Sequence, residues 1–550
     1  MSVGLQFNRS SAQVPRGVSL FDCAEDLGIL VPTSCRKQGR CKECVVEVLE
    51  GGDLLTPRGP EEAHLAGSFR LSCRARIDAD AGTIRCHTMR RGEMRIETKA
   101  FRLPGEGAAR RHDPAVTRDG DRILLDGEEI ARSTRPAHGL AIDLGTTTVV
   151  LRLINLETGD TVADSSFENP QRFAGSDIMA RIEYDSRDRS RLLQRTLAGY
   201  LSHAIAELPV DPASIYEVVI AGNSTMRDLF FRLSVHSIGQ SPYQSLTEQE
   251  LAAGSRTTTS LSESAARLGL PVHPRARAYG LPIVSGHVGA DAAACMLAVN
   301  AGREEGVVAV MDIGTNTELI VGNRHRLIAA SCPAGPAFEG GQIAFGMPGL
   351  PGAIERVELG DDGSVRCAVI GGGAPEGICG SGLIDLLSEL RRTGRMNALG
   401  RFEEGPADLV LAASGGRPIT FGESDVNALA QAKGANVAGL RIAFETYGIQ
   451  PGALHRLYLA GGFGRHLNIA AAKRIGLIPN LDADRIVQIG NASLEGACIA
   501  LVSRSRRAEL ESWVRRTEHC RLETHPRFFD YFVEGCQFSP VDDASGVPSS

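Results

Sequence analysis

Four cysteines stand close enough in the chain to do chemistry as a group. Cys35, Cys41, Cys44 and Cys73 are separated by five, two and 28 residues. Four thiolates hold either a structural zinc ion or an iron–sulfur cluster. A zinc site built from four cysteines usually faces two Cys-x-x-Cys hairpins toward each other. Here one loop supplies three thiolates and a distant segment the fourth, which is nearer the plant-type spacing of a 2Fe–2S cluster. A second constellation is duplicated. Asp143-Leu144-Gly145-Thr146-Thr147 and Asp312-Ile313-Gly314-Thr315-Asn316 lie 169 residues apart, each between two apolar runs. In such a turn glycine lets a phosphate approach the backbone, N–H groups and hydroxyls donate to its oxygens, and the Asp holds Mg²⁺ through water. One Asp-x-Gly-Thr is most simply a hairpin turn; two in equivalent positions point to duplication of a phosphate-binding fold.

The surrounding residues say what must position these groups. Residues 3–7 and 13–18 predict a hairpin, Ser19 caps a helix over 20–27, and 28–32 lead into the ligand loop. Residues 45–49 alternate as a strand, which Gly51-Gly52 turns. From 90 to 136 the periodicity fades, arginines accumulate and one hairpin signal appears at Asp126-Gly127. A flexible coil of about 30 residues there would span roughly 30 Å. Past it the halves share a second loop type: an apolar strand opens into Ala221-Gly222-Asn223 in one and Ala460-Gly461-Gly462-Phe463-Gly464 in the other. Asp291, at the head of a helix over 292–301, is a candidate for positioning water or Mg²⁺, or else a helix N-terminal charge favoured by the macrodipole. The expected division is a cluster domain over 1–90, a linker with a small hairpin over 91–137, lobes over 138–300 and 301–535, and a flexible tail over 536–550.

Composition narrows the function classes. Lys and Arg total 59 against 66 Asp and Glu, a net charge of −7, aromatics are 5% and Trp occurs once. Neither a positive field nor a stacking platform for nucleic acid is present. No stretch approaches the roughly 18 apolar residues of a membrane helix, and residues 1–10 lack the pattern of a secretory leader. Cysteines number 13, most of them scattered singly, which fits a reducing, cytoplasmic compartment without a disulfide framework.

Residues 1–90, with Arg70-Leu71-Ser72-Cys73 as the last ligand segment, resemble the β-grasp ferredoxin domain. The ligand loop is more basic than that of a typical member, through Arg36, Lys37, Arg40 and Lys42. A basic loop either raises the potential of an anionic cluster, attracts an acidic partner, or is merely solvated. Residues 138 to about 535 resemble the actin, hexokinase and heat-shock ATPase superfamily, a duplicated ribonuclease H-like α/β fold. That resemblance implies phosphate loops from both lobes and Gly461, Gly462, Phe463 and Gly464 under the adenosine. Ala334-Gly335-Pro336-Ala337-Phe338-Glu339-Gly340, Gly377-Ile378-Cys379-Gly380-Ser381-Gly382 and Ile475-Gly476-Leu477-Ile478-Pro479 narrow it further. Together these blocks are similar to the ATP-dependent reductive activators of corrinoid proteins. The resemblance implies a 2Fe–2S cluster, ATP and Mg²⁺ as cofactors, and reduction of inactive Co(II) to Co(I) on a corrinoid protein of a methyltransferase system. It also implies a low-potential electron donor; a homodimer is one assembly it allows.

None of the 13 histidines lies in the Asp-x-His-x-x-Gly of a corrinoid-binding chain, so cobalamin is expected on a partner. His287, His325 and His466 read as structural histidines, and Cys23, Cys86 and Cys379 as small buried residues. Ser381, a hydroxyl between glycines where a helix begins, could face phosphate or the corrinoid partner. Two other functions compete. A small-molecule kinase with a regulatory ferredoxin domain would need a catalytic Asp aimed at a substrate hydroxyl and a polar sugar pocket. An activator of the radical-dehydratase type would carry its cluster near Ser331-Cys332-Pro333 at a dimer interface.

Overall fold

The computed structural model describes residues 2–35, 37–89, 112–403, 408–414, 417–461 and 467–541. The chain divides into two compact units between Leu281 and Pro282, and residues up to 89 belong with those from 112 to 281. The division falls ahead of the boundary expected at 300. The helix Ala290–Ala298 packs instead with Ala492–Val502, and the approach is close: a Cβ on Gly496 would lie 2.0 Å from the Ala294 carbonyl oxygen. Among the described residues no helix is long and apolar enough to cross a membrane.

The first unit begins with a five-stranded sheet in the order Ser10–Val14, Val3–Phe7, Thr83–His87, Val45–Glu50, Phe69–Leu71. Val3–Phe7 pairs parallel with Thr83–His87 and antiparallel with Ser10–Val14. The helix Leu20–Asp26 covers the sheet; Ser19 caps it, its hydroxyl accepting the Asp22 N–H. This is the β-grasp arrangement. The second strand starts earlier than the 13–18 reading, because Asn8, at φ 53°, already turns the chain and Pro15 has no N–H to continue the ladder. After residues 90–111, which lie outside the described residues together with that part of the linker, the chain forms a three-stranded meander: Val116–Asp119, Arg122–Leu125 and Glu128–Arg132. The Asp126-Gly127 turn is there, both residues at positive φ, but it belongs to a sheet larger than a small hairpin. Asp126 pairs with Arg277, which also binds the buried Glu217.

The remainder of this unit is a six-stranded sheet ordered Thr161–Glu168, Thr148–Asn155, His138–Leu144, Ile215–Gly222, Arg277–Gly280, Leu261–Ser264. The second unit repeats its core as Leu327–Cys332, Thr317–Gly322, Val308–Ile313, Arg456–Ala460, Ile486–Gly490. In both sheets the first strand is antiparallel to the second and parallel to the fourth. Every residue of Ile215–Gly222 is buried, which explains a continuous apolar run where a half-exposed strand would alternate. The duplication extends to single residues. Ala221 faces Asp143 across one ladder, and Ala460 faces Asp312 across the other. Gly222 and Gly461, at φ 145° and 107°, then bring the backbone so close that a Cβ would sit 2.7 Å from the Leu144 oxygen and 2.3 Å from the Ile313 oxygen.

The end of the described chain corrects the expectation of a flexible tail from 536. Phe538 is fully buried, Val541 bridges to Pro479, and the buried Lys433 donates through Nζ to the carbonyls of Gly535 and Gln537 at 2.6 and 2.8 Å. Residues 542–550 lie outside the described residues.

Candidate functional site

The ligand loop follows Val31-Pro32 and carries two residues, Lys37 and Lys42, in the left-handed region, a conformation that costs about 1–2 kcal/mol per non-glycine residue. Gly39, at φ 74°, takes the same left-handed conformation without that cost, and Arg74 donates to the Gln38 carbonyl beside it. The loop brings the four cysteines together in pairs. Cys44 Sγ lies 3.4 Å from Cys73 Sγ, and the thiol of Cys41 bonds that of Cys35. Burial acts to raise the Cys35 thiol, but the backbone and thiol of Cys41 and the N–H groups of Arg40 and Gln38 outweigh it and bring it down to about 7.

Among the described residues no three His, Cys, Asp or Glu side chains converge on one ion position. Thiols in pairs suit two irons with two thiolates each. Cys23 and Cys86 lie outside the quartet, and burial raises both thiols. The basic loop is partly neutralised, since Lys37 Nζ pairs with Asp22 at 2.6 Å and with Glu25 at 2.5 Å.

The two phosphate turns are built alike. Asp143 and Asp312 end their strands half-buried, while Thr146 and Thr315 are buried. In the first unit a Cβ on Gly145 would lie 2.5 Å from the Thr148 oxygen, so the turn closes only on glycine. Asn223 donates to the Thr146 hydroxyl at 2.9 Å. Asn169 donates through its side chain to the Gly145 carbonyl at 2.8 Å and through its backbone to Thr147 at 2.7 Å, and Arg181 donates to the Thr146 carbonyl at 2.7 Å. Each turn carbonyl is therefore held from the protein side. Burial lowers the Arg181 guanidinium to about 9.

In the second unit the Thr315 hydroxyl donates to the Glu339 carboxylate, and Gly461 presses on the Asp312 turn. Asp312, Asp291 and Glu318 are brought together. Burial first, then the charges of Asp291 and Asp312, push the Glu318 carboxyl well above the usual range. Cys295 donates its thiol to Asp312 Oδ2 at 3.3 Å. Gly314 and Asn316 are half-buried beside them. Ser381 is not on this turn; its buried hydroxyl lies 3.4 Å from Cys379 Sγ at the start of Gly380–Arg392. Gly462, Phe463 and Gly464 lie outside the described residues. Asn169 and Arg181 carry no sequence signal of a site role, because each acts on a turn more than 20 residues away; Glu339 lies within the 334–340 block, and Glu318 lies opposite Asp312 in the ladder.

Residues 6–78 match the 2Fe–2S iron–sulfur cluster binding domain, 138–304 the RACo middle region, and 306–549 the C-terminal domain of RACo, the ASKHA domain. Across 98% of both chains the fold matches a solved structure, the reductive activator for corrinoid,iron-sulfur protein, with a TM-score of 0.72 and 27% identity. This is a chain of the corrinoid reductive-activase type. The activase-type architecture is an N-terminal 2Fe–2S domain on a two-lobe ATPase of the actin, hexokinase and heat-shock kind. Two curated activases are similar. The corrinoid activation enzyme RamQ of Eubacterium limosum is 27% identical over 94% of this chain and 95% of its own. The [Co(II) methylated amine-specific corrinoid protein] reductase of Methanosarcina barkeri is 24% identical over 73% and 77%.

Proposed function

We propose that this chain passes one electron from its 2Fe–2S centre to the cobalt of a separate corrinoid protein, returning Co(II) to Co(I), and that ATP with Mg²⁺ drives the step. The observation that carries the reading is the joint presence of paired ferredoxin thiols, Cys35 with Cys41 and Cys44 with Cys73, and two matching phosphate turns in one chain. The centre, when bound, supplies a one-electron donor near ~−400 mV. Cys35 and Cys41 would hold one iron and Cys44 and Cys73 the other. Gly145, Thr146 and Thr147 and their counterparts Gly314, Thr315 and Asn316 would meet phosphate, with Gly461 under the adenosine. Asp312, with Asp291, would hold Mg²⁺ through water, and its charge would offset the part of the Glu318 rise that comes from these two carboxylates. Asp143 would take the equivalent place in the first lobe.

The energy balance explains the nucleotide. An uphill gap of about 100 mV costs about 2.3 kcal/mol for one electron, within the ~1–3 kcal/mol that coupled binding transmits. A low-potential donor must reload the cluster after each turnover. The radical-dehydratase reading would place a cluster at Cys332, but that thiol is fully buried, packed where a Cβ on Gly439 would lie 2.1 Å from Sγ.

The test is an anaerobic titration of a methyltransferase corrinoid protein, followed by its visible absorbance, with reduced protein, ATP and Mg²⁺ each omitted in turn. Co(I) is expected only with all three. Co(I) formed equally well without ATP, or a phosphorylated small molecule accumulating instead, would return the chain to the kinase reading.

A further inference from the structure

A run of polar contacts, buried at the turn and half-buried at Arg195, joins the phosphate turn of the first unit to the cluster loop. Its first part is the clasp on Gly145, Thr146 and Thr147 by Asn169 and Arg181. The second is Gln171, fully buried, whose side chain accepts from Arg181 at 3.4 Å and donates to the Leu193 carbonyl at 3.2 Å. Leu193 lies in the first turn of the helix Leu192–Ala206. Two residues on, Arg195 reaches out of that helix and donates through Nη2 to the carbonyl of Cys41, a cluster cysteine, at 2.7 Å. Glu43, fixed by the Ser34 hydroxyl at 2.9 Å, lies 3.8 Å from Arg195 Nε.

The cluster domain is seated on this same helix. A Cβ on Gly199 would meet Pro32 at 3.1 Å, and Tyr200 accepts the Met89 N–H at 3.4 Å.

We infer that Arg195 is a positioning residue through which nucleotide on the Asp143 turn sets the reducing strength of the cluster. A cation beside an anionic cluster stabilises its reduced form and raises its potential. Phosphate accepting the N–H groups of the turn polarises the same peptides whose carbonyls Asn169 and Arg181 hold, and hydrogen bonds in such chains strengthen one another. The clasp tightens, and Gln171 draws the start of Leu192–Ala206 toward the turn. Arg195 then leaves the Cys41 carbonyl. With the cation withdrawn, the cluster becomes a stronger donor while nucleotide is bound. The inference rests on the proposed nucleotide and cluster sites and adds the link between them.

The experiment is a redox titration of the cluster in the full-length holoprotein, followed by EPR, with and without Mg²⁺ and a non-hydrolysable ATP analogue. Analogue affinity is measured separately on oxidised and reduced protein. In wild type the analogue should lower the reduced-to-oxidised ratio at fixed potential by about tenfold, equivalent to about 59 mV. By linkage the oxidised protein should bind the analogue more tightly by the same factor. Arg195→Met should start at the lower potential and show no nucleotide shift, Arg195→Lys should keep part of it, and Gln171→Ala, remote from the cluster loop, should lose the shift with the cluster spectrum intact. Analogue that binds both oxidation states equally, or a full shift in Arg195→Met or Gln171→Ala, overturns the link and leaves the proposed function standing. Analogue that binds neither state overturns both.

Discussion

Cys44 and Cys73 place their Sγ atoms 3.4 Å apart across 28 intervening residues. The ladder between Val45–Glu50 and Phe69–Leu71 sets this approach, with Val45 opposite Leu71. Ser72 locks it, donating both its N–H and its hydroxyl to the Cys44 carbonyl. The thiol of Cys44 donates to Cys73, which pushes Cys44 up and draws Cys73 down. The pair is thus arranged to share one proton, which metal binding would displace.

Replacing Cys35, Cys41, Cys44 or Cys73 singly with Ala should abolish the visible and rhombic EPR signals of a 2Fe–2S cluster in anaerobically reconstituted protein. Cys332→Ala and Cys379→Ser should retain both signals at full iron content. A normal spectrum in any of the first four variants would remove that residue from the ligand set.

The cysteines and the turns can be found in the sequence because residue type and local spacing carry their chemistry. Thiols are scarce and chemically distinctive, and Asp-x-Gly-Thr is a contiguous turn. The repeat is legible down to the pairing of Ala221-Gly222 with Ala460-Gly461. Arg195 is not, because its role depends on a carbonyl 154 residues away. Arg181 and Glu318 are charged residues in a helix and a strand, and only burial beside the turn or beside Asp291 and Asp312 makes them part of a site. The meander over Val116–Arg132 escapes a reading of the sequence because short polar strands give weak alternation, and the packed segment around Phe538 because its partner, Lys433, lies about 100 residues earlier in the helix Glu423–Tyr447.

Acid should loosen the seat of the cluster domain. His64 packs edge-on against Phe173 at 6.4 Å, with both ring nitrogens buried. Burial, helped by Lys42, lowers its pKa to about 4. The unfolded chain, with a histidine near ~6.5, takes up the proton first as pH falls, so this contribution is complete above about pH 6.5 and is lost through about pH 4. The urea midpoint of wild type should therefore fall between about pH 7.5 and pH 5, and that of His64→Phe should fall less. An equal fall in both would assign the acid sensitivity to other groups.

Gly439→Ala should destabilise the second unit by about 1–3 kcal/mol, because the new methyl lands on a fully buried sulfur that cannot swing away. Cys332→Ala should recover a substantial part of that loss in the double variant, giving a coupling that a double-mutant cycle in urea reads directly. Additive effects would mean that Leu522 and Leu319, at 3.1 and 3.2 Å from the place the methyl would take, dominate the clash.

The two cofactor sites should work only within one chain. Cys44→Ala should leave an ATPase that cannot reduce cobalt. Asp312→Ala should leave a reducible cluster that cannot deliver its electron, with ATP turnover down about a hundredfold, the scale of losing one strong electrostatic contact to a reacting phosphate. The cluster domain is bonded to the lobe that follows it in the same chain, through Arg195 to Cys41 and Tyr200 to Met89. A cluster in one molecule therefore has no such path to a nucleotide turn in another. Mixing the two variants in equal amounts should give no Co(I), as followed by corrinoid absorbance under anaerobic conditions. Rates restored by mixing would show that electron and nucleotide can come from different chains, and the link through Leu192–Ala206 would then not be required.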